Sequence, residues 1–221
     1  MEFAIDAADD APGVALAVGG VAGLTAAWAT ERNHSVELLP NIERLLAEAG
    51  RSKEDIEAVF VDVGPGGYAA LRVGVSIAKG LAHGLGVPIV GVGRLELDAY
   101  GVAREADGRR IVAVHRAGRG ELAVAAYVRA EGGWREEAPP RIGGREAALA
   151  DIGEGDVVTG DVDDEVAAAA QAAGASIVLA QAHRVVALAA LGHARLAAGR
   201  GDDPLTLVPM YLRAPAIGPQ R

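Results

Sequence analysis

The apolar positions follow two rhythms, one of period two and one of helical period. Three short apolar runs open the chain: Glu2 to Ala7, Val14 to Val18 and Val21 to Thr30, the last two joined at Gly19-Gly20. A Gly-Gly step between apolar runs marks a tight hairpin, so the spacing predicts a three-strand meander. From Ser35 the rhythm changes. Leu38, Leu39, Ile42, Leu45, Leu46 and Ala49 recur at helical spacing with Glu37, Glu43, Arg44 and Glu48 between them, and Gly50 supplies the stop. A second short helix is predicted over Ser52 to Ala58. It leads to a strand (Val59, Phe60, Val61, Val63), the turn Gly64-Pro65-Gly66-Gly67, a helix from about Tyr68 to Leu85, and a strand from Val87 to Val92. The order is a meander continued by crossover helices, β-β-β-α-β-α-β, which places the chain in the α/β class.

The second half repeats the plan in weaker form. Arg110 to Val114 and Glu121 to Val128 make a hairpin pair around Gly118 to Gly120, with a third strand near Trp134 and a break at Pro139-Pro140. A short helix (Arg145 to Ala150), a strand (Asp156 to Thr159), a helix (Asp164 to Ala173), a strand (Ser176 to Leu179) and a long helix (His183 to Ala198) follow. Two successive copies of a β-β-β-α-β-α unit predict two facing lobes. Their junction is expected in the charged segment Arg104 to Arg109, giving lobes 1–103 and 104–203 and a tail 204–221 that packs back on the first lobe.

Composition narrows the functional classes. The chain has 221 residues, 51% of them hydrophobic, which is ample for a core. Lys+Arg is 21 against 30 Asp+Glu, a formal charge of −9, and no basic run of five residues occurs. Such a surface repels nucleic acid, so any RNA role requires a partner. There is no cysteine, which excludes disulfides and thiolate metal sites. With no signal peptide pattern and no apolar run of membrane-spanning length, the expectation is a cytoplasmic protein with no membrane role.

The glycine turn lies between the end of a strand and the start of a helix, where unpaired N–H groups and the helix dipole favour an anion. Gly64, Gly66 and Gly67, with Asp6 at the end of the first strand, are therefore the candidate phosphate loop; a tight structural turn is the competing reading. It is not a Walker A loop, since no Gly-Lys-Ser/Thr follows and Lys79 lies well inside the helix. Asp9 and Asp10 extend the acidic turn, and Asp161, Asp163 and Asp164 form a similar one that caps the next helix. His34, His83, His115, His183 and His193 show no i, i+4 pairing, and no Gly-x-Ser-x-Gly elbow occurs, so neither a metal site nor a hydrolytic triad is predicted. Three glycines, Gly74, Gly80 and Gly84, interrupt a helix at a cost of up to about 1 kcal/mol each relative to alanine. Close approach of another backbone would explain them, within the domain or from a partner helix.

The block from Gly64 to Gly74, continued by Ala78-Lys79-Gly80-Leu81-Ala82, Pro88 and Gly91-Val92, resembles the TsaB (YeaZ) family. So do Ile5-Asp6, His34-Ser35 with Leu38-Leu39-Pro40, Arg119-Gly120-Glu121 and the tail Pro209-Met210-Tyr211-Leu212-Arg213. The resemblance implies a two-lobed fold of the actin, sugar kinase and heat-shock ATPase type (ribonuclease H-like), and a part in making N6-threonylcarbamoyladenosine at A37 of tRNA. It implies a non-catalytic subunit that pairs with its paralogue TsaD through helices of the first lobe, with the small ATPase TsaE as a further partner and tRNA met only through the complex. The TsaD-type metal pair, two histidines at i, i+4, falls on Arg94 and Asp98, and a guanidinium cannot ligate a metal. The hydroxyls usual after the proline are missing from Gly66-Gly67-Tyr68-Ala69-Ala70, and His115 stands where the family has an aspartate.

These readings combine into definite expectations. No catalytic residue and no metal ligand is assigned, and no cofactor is required, ATP or ADP binding being left open. The pairing surface is expected on Leu38, Leu39, Ile42 and Leu46 with Leu71, Val75 and Ile77, and the same helices are expected to form a homodimer when the partner is absent. The competing expectation is an ATP- or metal-dependent enzyme of the same superfamily, a phosphotransferase or glycoprotease-like hydrolase, working with Asp6 and the glycine turn.

Overall fold

A computed structural model describes residues 1–31, 33–131 and 133–213. The first half forms β1 (Glu2–Asp6), β2 (Gly13–Val18), β3 (Val21–Ala27), α1 (His34–Glu48), β4 (Ala58–Gly64), α2 (Tyr68–Leu85), β5 (Ile89–Gly93) and α3 (Arg94–Gly101). The second half forms β6 (Ile111–Arg116), β7 (Glu121–Ala130), β8 (Gly133–Gly144), α4 (Arg145–Leu149), β9 (Val157–Gly160), α5 (Asp164–Ala172), β10 (Ser176–Ile177) and α6 (Arg184–Ala197). The strand orders, β3-β2-β1-β4-β5 and β10-β9-β6-β7-β8, are the same order written from opposite ends. The duplication read from the sequence is therefore exact in topology.

The helices do not respect a division at residue 103. α1 and α2 cover the outer face of the first sheet, where Leu38, Ile42 and Leu45 meet Phe3, Ile5, Val59 and Val61. The inner face of that sheet is covered by α6, from the other half of the chain: Val185, Leu188 and Leu191 pack on Ala4, Ala15, Phe60 and Val90. A Cβ on Gly192 would lie 2.4 Å from the Phe60 ring, so only glycine lets α6 sit this close. Conversely, α3 turns Leu95 and Ala99 onto Ile111, Ala113 and Ala123 of the second sheet. The layers run α1/α2, first sheet, α6/α3, second sheet, α4/α5, and the lobes exchange their last helices.

Three local expectations need correction. Ser52 to Ala58 is not a helix but one 3-10 turn, Lys53–Asp55. The Pro139-Pro140 step does not end a strand, because β8 runs through it; β8 is an edge strand, and proline is tolerated where the missing N–H faces outward. The helix α3 was not foreseen, since its period is carried by only eight residues, three of them charged.

The tail packs on the first lobe as far as it is described. Asp202 N–H donates to Ile89 O at 2.8 Å, Met210 N–H to Val63 O at 2.7 Å, and Lys79 Nζ to Leu207 O at 2.8 Å. Tyr211 then lies on Tyr68 with ring centroids 5.1 Å apart, and Arg213 pairs with Glu121 of the second lobe. Residues 214–221 of the expected tail lie outside the described residues.

Candidate functional site

Between the lobes, where β1, β4, β6 and β9 end, charged side chains from seven segments converge. Arg94, the first residue of α3, is 3% exposed. Its Nη2 donates to Asp161 Oδ1 at 3.1 Å, while Nη1 lies 3.1 Å from Asp9 and Nε 3.5 Å from Asp98. Arg184, the first residue of α6, reaches Asp6 Oδ2 at 2.9 Å, Asp9 Oδ2 at 2.6 Å and Asp98 at 3.7 Å. The exchanged helices thus each begin with an arginine aimed into the junction. A cation at a helix N-terminus opposes the helix dipole, and four carboxylates offset that cost.

The carboxylates respond in different directions. Burial would raise Asp161, but a 2.7 Å hydrogen bond with His115 Nδ1, the charge of Arg94 and the Arg116 N–H hold it well below the usual range. Burial likewise opposes Asp9, and Arg184 and Arg94 lower it on balance. For Asp98 burial outweighs the two arginines, so its pKa is raised. Asp62 is raised furthest, by complete burial and then by the charge of Asp6, and its Oδ2 has no hydrogen-bond partner.

A cleft of about 540 Å³ adjoins this cluster, lined by Asp9, Asp10, His34, Gly66, Gly67, Tyr68, His115 and Arg116 among others. The residues of the expected phosphate loop are only partly brought together there. Gly66 and Gly67 line the cleft, but the Gly67 N–H donates to Ala8 O at 2.8 Å, and a Cβ on Gly66 would fall 2.2 Å from that same oxygen. The glycines fit the turn against the β1–β2 loop, and the Gly67 amide, one of those an anion could use there, is already engaged. Gly64 donates its N–H to Asp62 Oδ1 at 2.7 Å, at a φ of +99° that favours glycine. Asp6 is fully buried, accepting from Ala8 N–H at 2.9 Å and from Arg184. Its carboxylate faces a guanidinium, and the junction as built does not fit a divalent cation, because Arg94 and Arg184 occupy the positions the acidic oxygens would offer one. Among the described residues, no three His, Asp and Glu side chains are grouped to hold a metal.

The expected pairing surface is corrected by burial. Leu38, Ile42, Leu46, Leu71 and Val75 are inside the first lobe's own core and cannot meet a partner. Helical periodicity finds an apolar face but not which body it faces, and here the sheet takes it. Leu39, 47% exposed, stays outside, with Ile77 half-buried. The outward side of α2 carries Ala69, Ser76, Gly80 and Gly84; a Cβ on Gly80 or Gly84 would meet nothing within 4 Å. Gly74 is different, since its Cβ would lie 2.9 Å from that of Ala7. Sequence reasoning gave Asp161 no place in the junction and missed Arg184 altogether. An arginine opening a helix whose next eight residues carry no polar side chain was the signal available.

Duplicated β-β-β-α-β-α lobes with exchanged helices define the two-lobed α/β fold of the actin, sugar kinase and heat-shock ATPase type. The structure superposes at a TM-score of 0.52, over 89% of this chain and 98% of the other, on component A of the (R)-2-hydroxyglutaryl-CoA dehydratase of Acidaminococcus fermentans, at 13% identity. It is closer to a Pseudomonas aeruginosa protein described as similar to peptidase YEAZ, with a TM-score of 0.78, 25% identity, and coverage of 96% of this chain and 99% of that one. The family described as "TsaD: tRNA N6-adenosine threonylcarbamoyltransferase" matches residues 17–149. In sequence the chain is 36% identical over 136 residues to the tRNA threonylcarbamoyladenosine biosynthesis protein TsaB of Escherichia coli, covering 61% of this chain and 58% of that relative. The chain belongs to the TsaB (YeaZ) family, and its match spans less than two thirds of that relative's length. No described helix is long and apolar enough to cross a membrane.

Proposed function

We propose that this chain serves tRNA N6-threonylcarbamoyladenosine biosynthesis as a non-catalytic subunit that pairs with a TsaD-type protein, with TsaE-type ATPase and tRNA engaged through the complex. The observation that carries the non-catalytic reading is the junction: Arg94 and Arg184 lie among Asp6, Asp9, Asp98 and Asp161, where a phosphotransferase or metal-dependent hydrolase would need its cation. The engaged Gly67 amide supports the same reading, and neither nucleotide nor metal is required by it. The pairing surface is the outward side of α1 and α2, with Val36 and Leu39 on one and Ser76, Gly80 and Gly84 on the other. Small residues admit a second helix backbone at close range, and the flanking apolar side chains supply the desolvated contact.

The test is reconstitution of tRNA modification with the purified TsaD-type and TsaE-type proteins, with and without this chain. Modification is expected only when the chain is present, and Leu39→Glu combined with Gly80→Glu is expected to abolish pairing while leaving the circular dichroism spectrum unchanged. Full modification without the chain, or pairing that survives the double variant, overturns the proposal. Micromolar ATP binding by the isolated chain in calorimetry would favour the enzymatic alternative.

A further inference from the structure

A second cavity, of about 250 Å³, lies apart from the arginine junction and is lined by residues of β5, α3, β7, β8, α6 and the tail. That is below the roughly 300–1,000 Å³ of drug-sized sites, so its natural occupant is a small molecule. One wall carries Tyr127, which is 2% exposed and lies flat on Trp134 with ring centroids 5.6 Å apart and 5° between the planes. Burial and stacking fix the ring. Its hydroxyl has no hydrogen-bond partner among the described residues, and a buried phenol ordinarily finds one. Burial, and then the charges of Glu96 and Glu136, push the pKa of this hydroxyl up, so it stays protonated beside two carboxylates that line the same cavity.

The charges around the cavity are unequal. Glu96, Glu136 and Asp202 line it with one basic side chain, Arg195. That arginine is already engaged, pairing with Glu96 and donating from Nη1 to Gly91 O at 2.6 Å. Glu96 also accepts from Trp134 Nε1 at 3.2 Å. Glu136, directly across the ladder from Tyr127 and so on the same face of the sheet, forms no ion pair among the described residues. Asp202 spends Oδ2 on the Gly91 N–H at 2.8 Å and has its other oxygen to offer. The site therefore has spare acceptors and no spare cation, while Leu95, Leu207 and Met210 add apolar wall.

We propose that this cavity binds a small organic cation, a primary amine on a short apolar chain, with the ammonium group between the Tyr127 hydroxyl and the Glu136 carboxylate and the chain against Leu207 and Met210. An ammonium group brings three donors to these acceptors and the charge they lack. A metal ion is less suited, because no three His, Asp and Glu side chains among the described residues are grouped to hold one. Since Leu207 and Met210 belong to the tail, the bound amine would also fasten the tail to the first lobe. The proposal uses no residue of the junction and none assigned to pairing.

Titration of the full chain with n-butylamine at pH 7 and constant ionic strength, followed by amide chemical shifts, tests it, with butyrate and n-butanol as matched probes. Saturable shifts at Gly91, Gly93 and Asp202 are expected with a Kd of about 1–10 mM, in keeping with a ligand of so few atoms, and hydrogen exchange at the Met210 N–H is expected to slow. Glu136→Gln is expected to weaken binding at least about fivefold and Tyr127→Phe at least about threefold, with both folds intact by circular dichroism. If Tyr127→Phe does not fold, Glu136→Gln, a change at an exposed side chain, decides alone. Shifts that rise without saturation overturn the proposal. So does equal binding of butyrate or n-butanol, or parent-like binding by the Glu136→Gln variant.

Discussion

The two lobes place a pair of residues at the same point of their central parallel strands and fill it oppositely. Ile5 pairs with Val61 in the first sheet and Val114 with Gly160 in the second; the next residues are Asp6 and Asp62 in one, His115 and Asp161 in the other. Two carboxylates side by side in a buried site cannot both ionise cheaply, and Asp62 is pushed toward its protonated form. An imidazole beside a carboxylate has no such conflict, and Asp161 remains ionised and available to Arg94. The first lobe therefore draws its cation from α6, through Arg184, and the second lends its anion to α3. The exchange of helices and the charge pattern are one arrangement, and it ties the two lobes together beside the cleft.

The largest way to break that arrangement is to remove Arg94. Arg94→Met removes the buried guanidinium that Asp9, Asp98 and Asp161 share, leaving Asp9 and Asp98 to Arg184 and Asp161 to His115, and breaking a buried ion pair costs about 3–5 kcal/mol. A loss of that size is expected in urea unfolding, with an unchanged m value. A loss below about 1 kcal/mol would mean that the lobes are held by packing alone and that the arginine is incidental.

Asp161→Asn tests the second lobe's half of the comparison. Losing charge-assisted bonds to His115 and Arg94 is expected to cost about 1.5–3 kcal/mol at pH 7. The pH dependence carries the sharper signature. The folded pKa of Asp161 is depressed, so its contribution is fully present above the unfolded value of about 3.9 and is lost as pH falls toward the folded value. Parent and variant are expected to differ by a constant amount above about pH 4 and to converge progressively as pH falls below it toward the folded value. A constant difference down to acid would assign the effect to geometry and not to charge.

Asp62→Asn probes the first lobe and should move the other way. A raised folded pKa means that the folded chain holds a proton the unfolded chain has released, so the parent loses stability as pH rises from about 4 through the folded value. The variant keeps the acceptor for the Gly64 N–H and carries no charge. It is expected to exceed the parent by roughly 1 kcal/mol at pH 8 and to lose that advantage near pH 4, as read from thermal unfolding at both pH values. A variant less stable than the parent at pH 8 would show that the Asp62 carboxylate is ionised and compensated.

Much of this architecture was legible in the residues because it is local. The Gly19-Gly20 hairpin, the helix from Tyr68 to Leu85 and the repeated unit follow from period and punctuation alone. The junction was legible only in part. Asp6 and Asp9 stand out as an acidic turn, but Arg184 and Asp161 join them from more than 150 residues away in sequence, and nothing in a linear pattern says that α6 crosses to the other lobe. Five of the seven expected interface residues are buried for a related reason. Leu38 and Leu71 are as apolar as any docking residue, and burial against the chain's own sheet is decided by three-dimensional packing. The glycines were the better guide to the outside of α2, because a position that tolerates open space and still lacks a side chain calls for an explanation beyond the fold.

That explanation can be separated from the fold with the smallest change. The first lobe's α2 has 18 residues and its counterpart α5 has nine, with alanines through its middle where α2 has glycines. Gly80→Ala adds a methyl group into space empty to 4 Å, so the isolated chain is expected to gain about 0.5–1 kcal/mol from helix propensity. Gly74→Ala, which drives its methyl to 2.9 Å from Ala7 Cβ, is expected to lose stability instead. The informative measurement is the affinity of Gly80→Ala for the TsaD-type protein by calorimetry. A more stable chain that pairs less tightly identifies a glycine retained for a partner's backbone, and this would make the length of α2 the first lobe's distinguishing adaptation. Stability and affinity that rise together would place the partner on another face, and the asymmetry between α2 and α5 would then have no link to pairing.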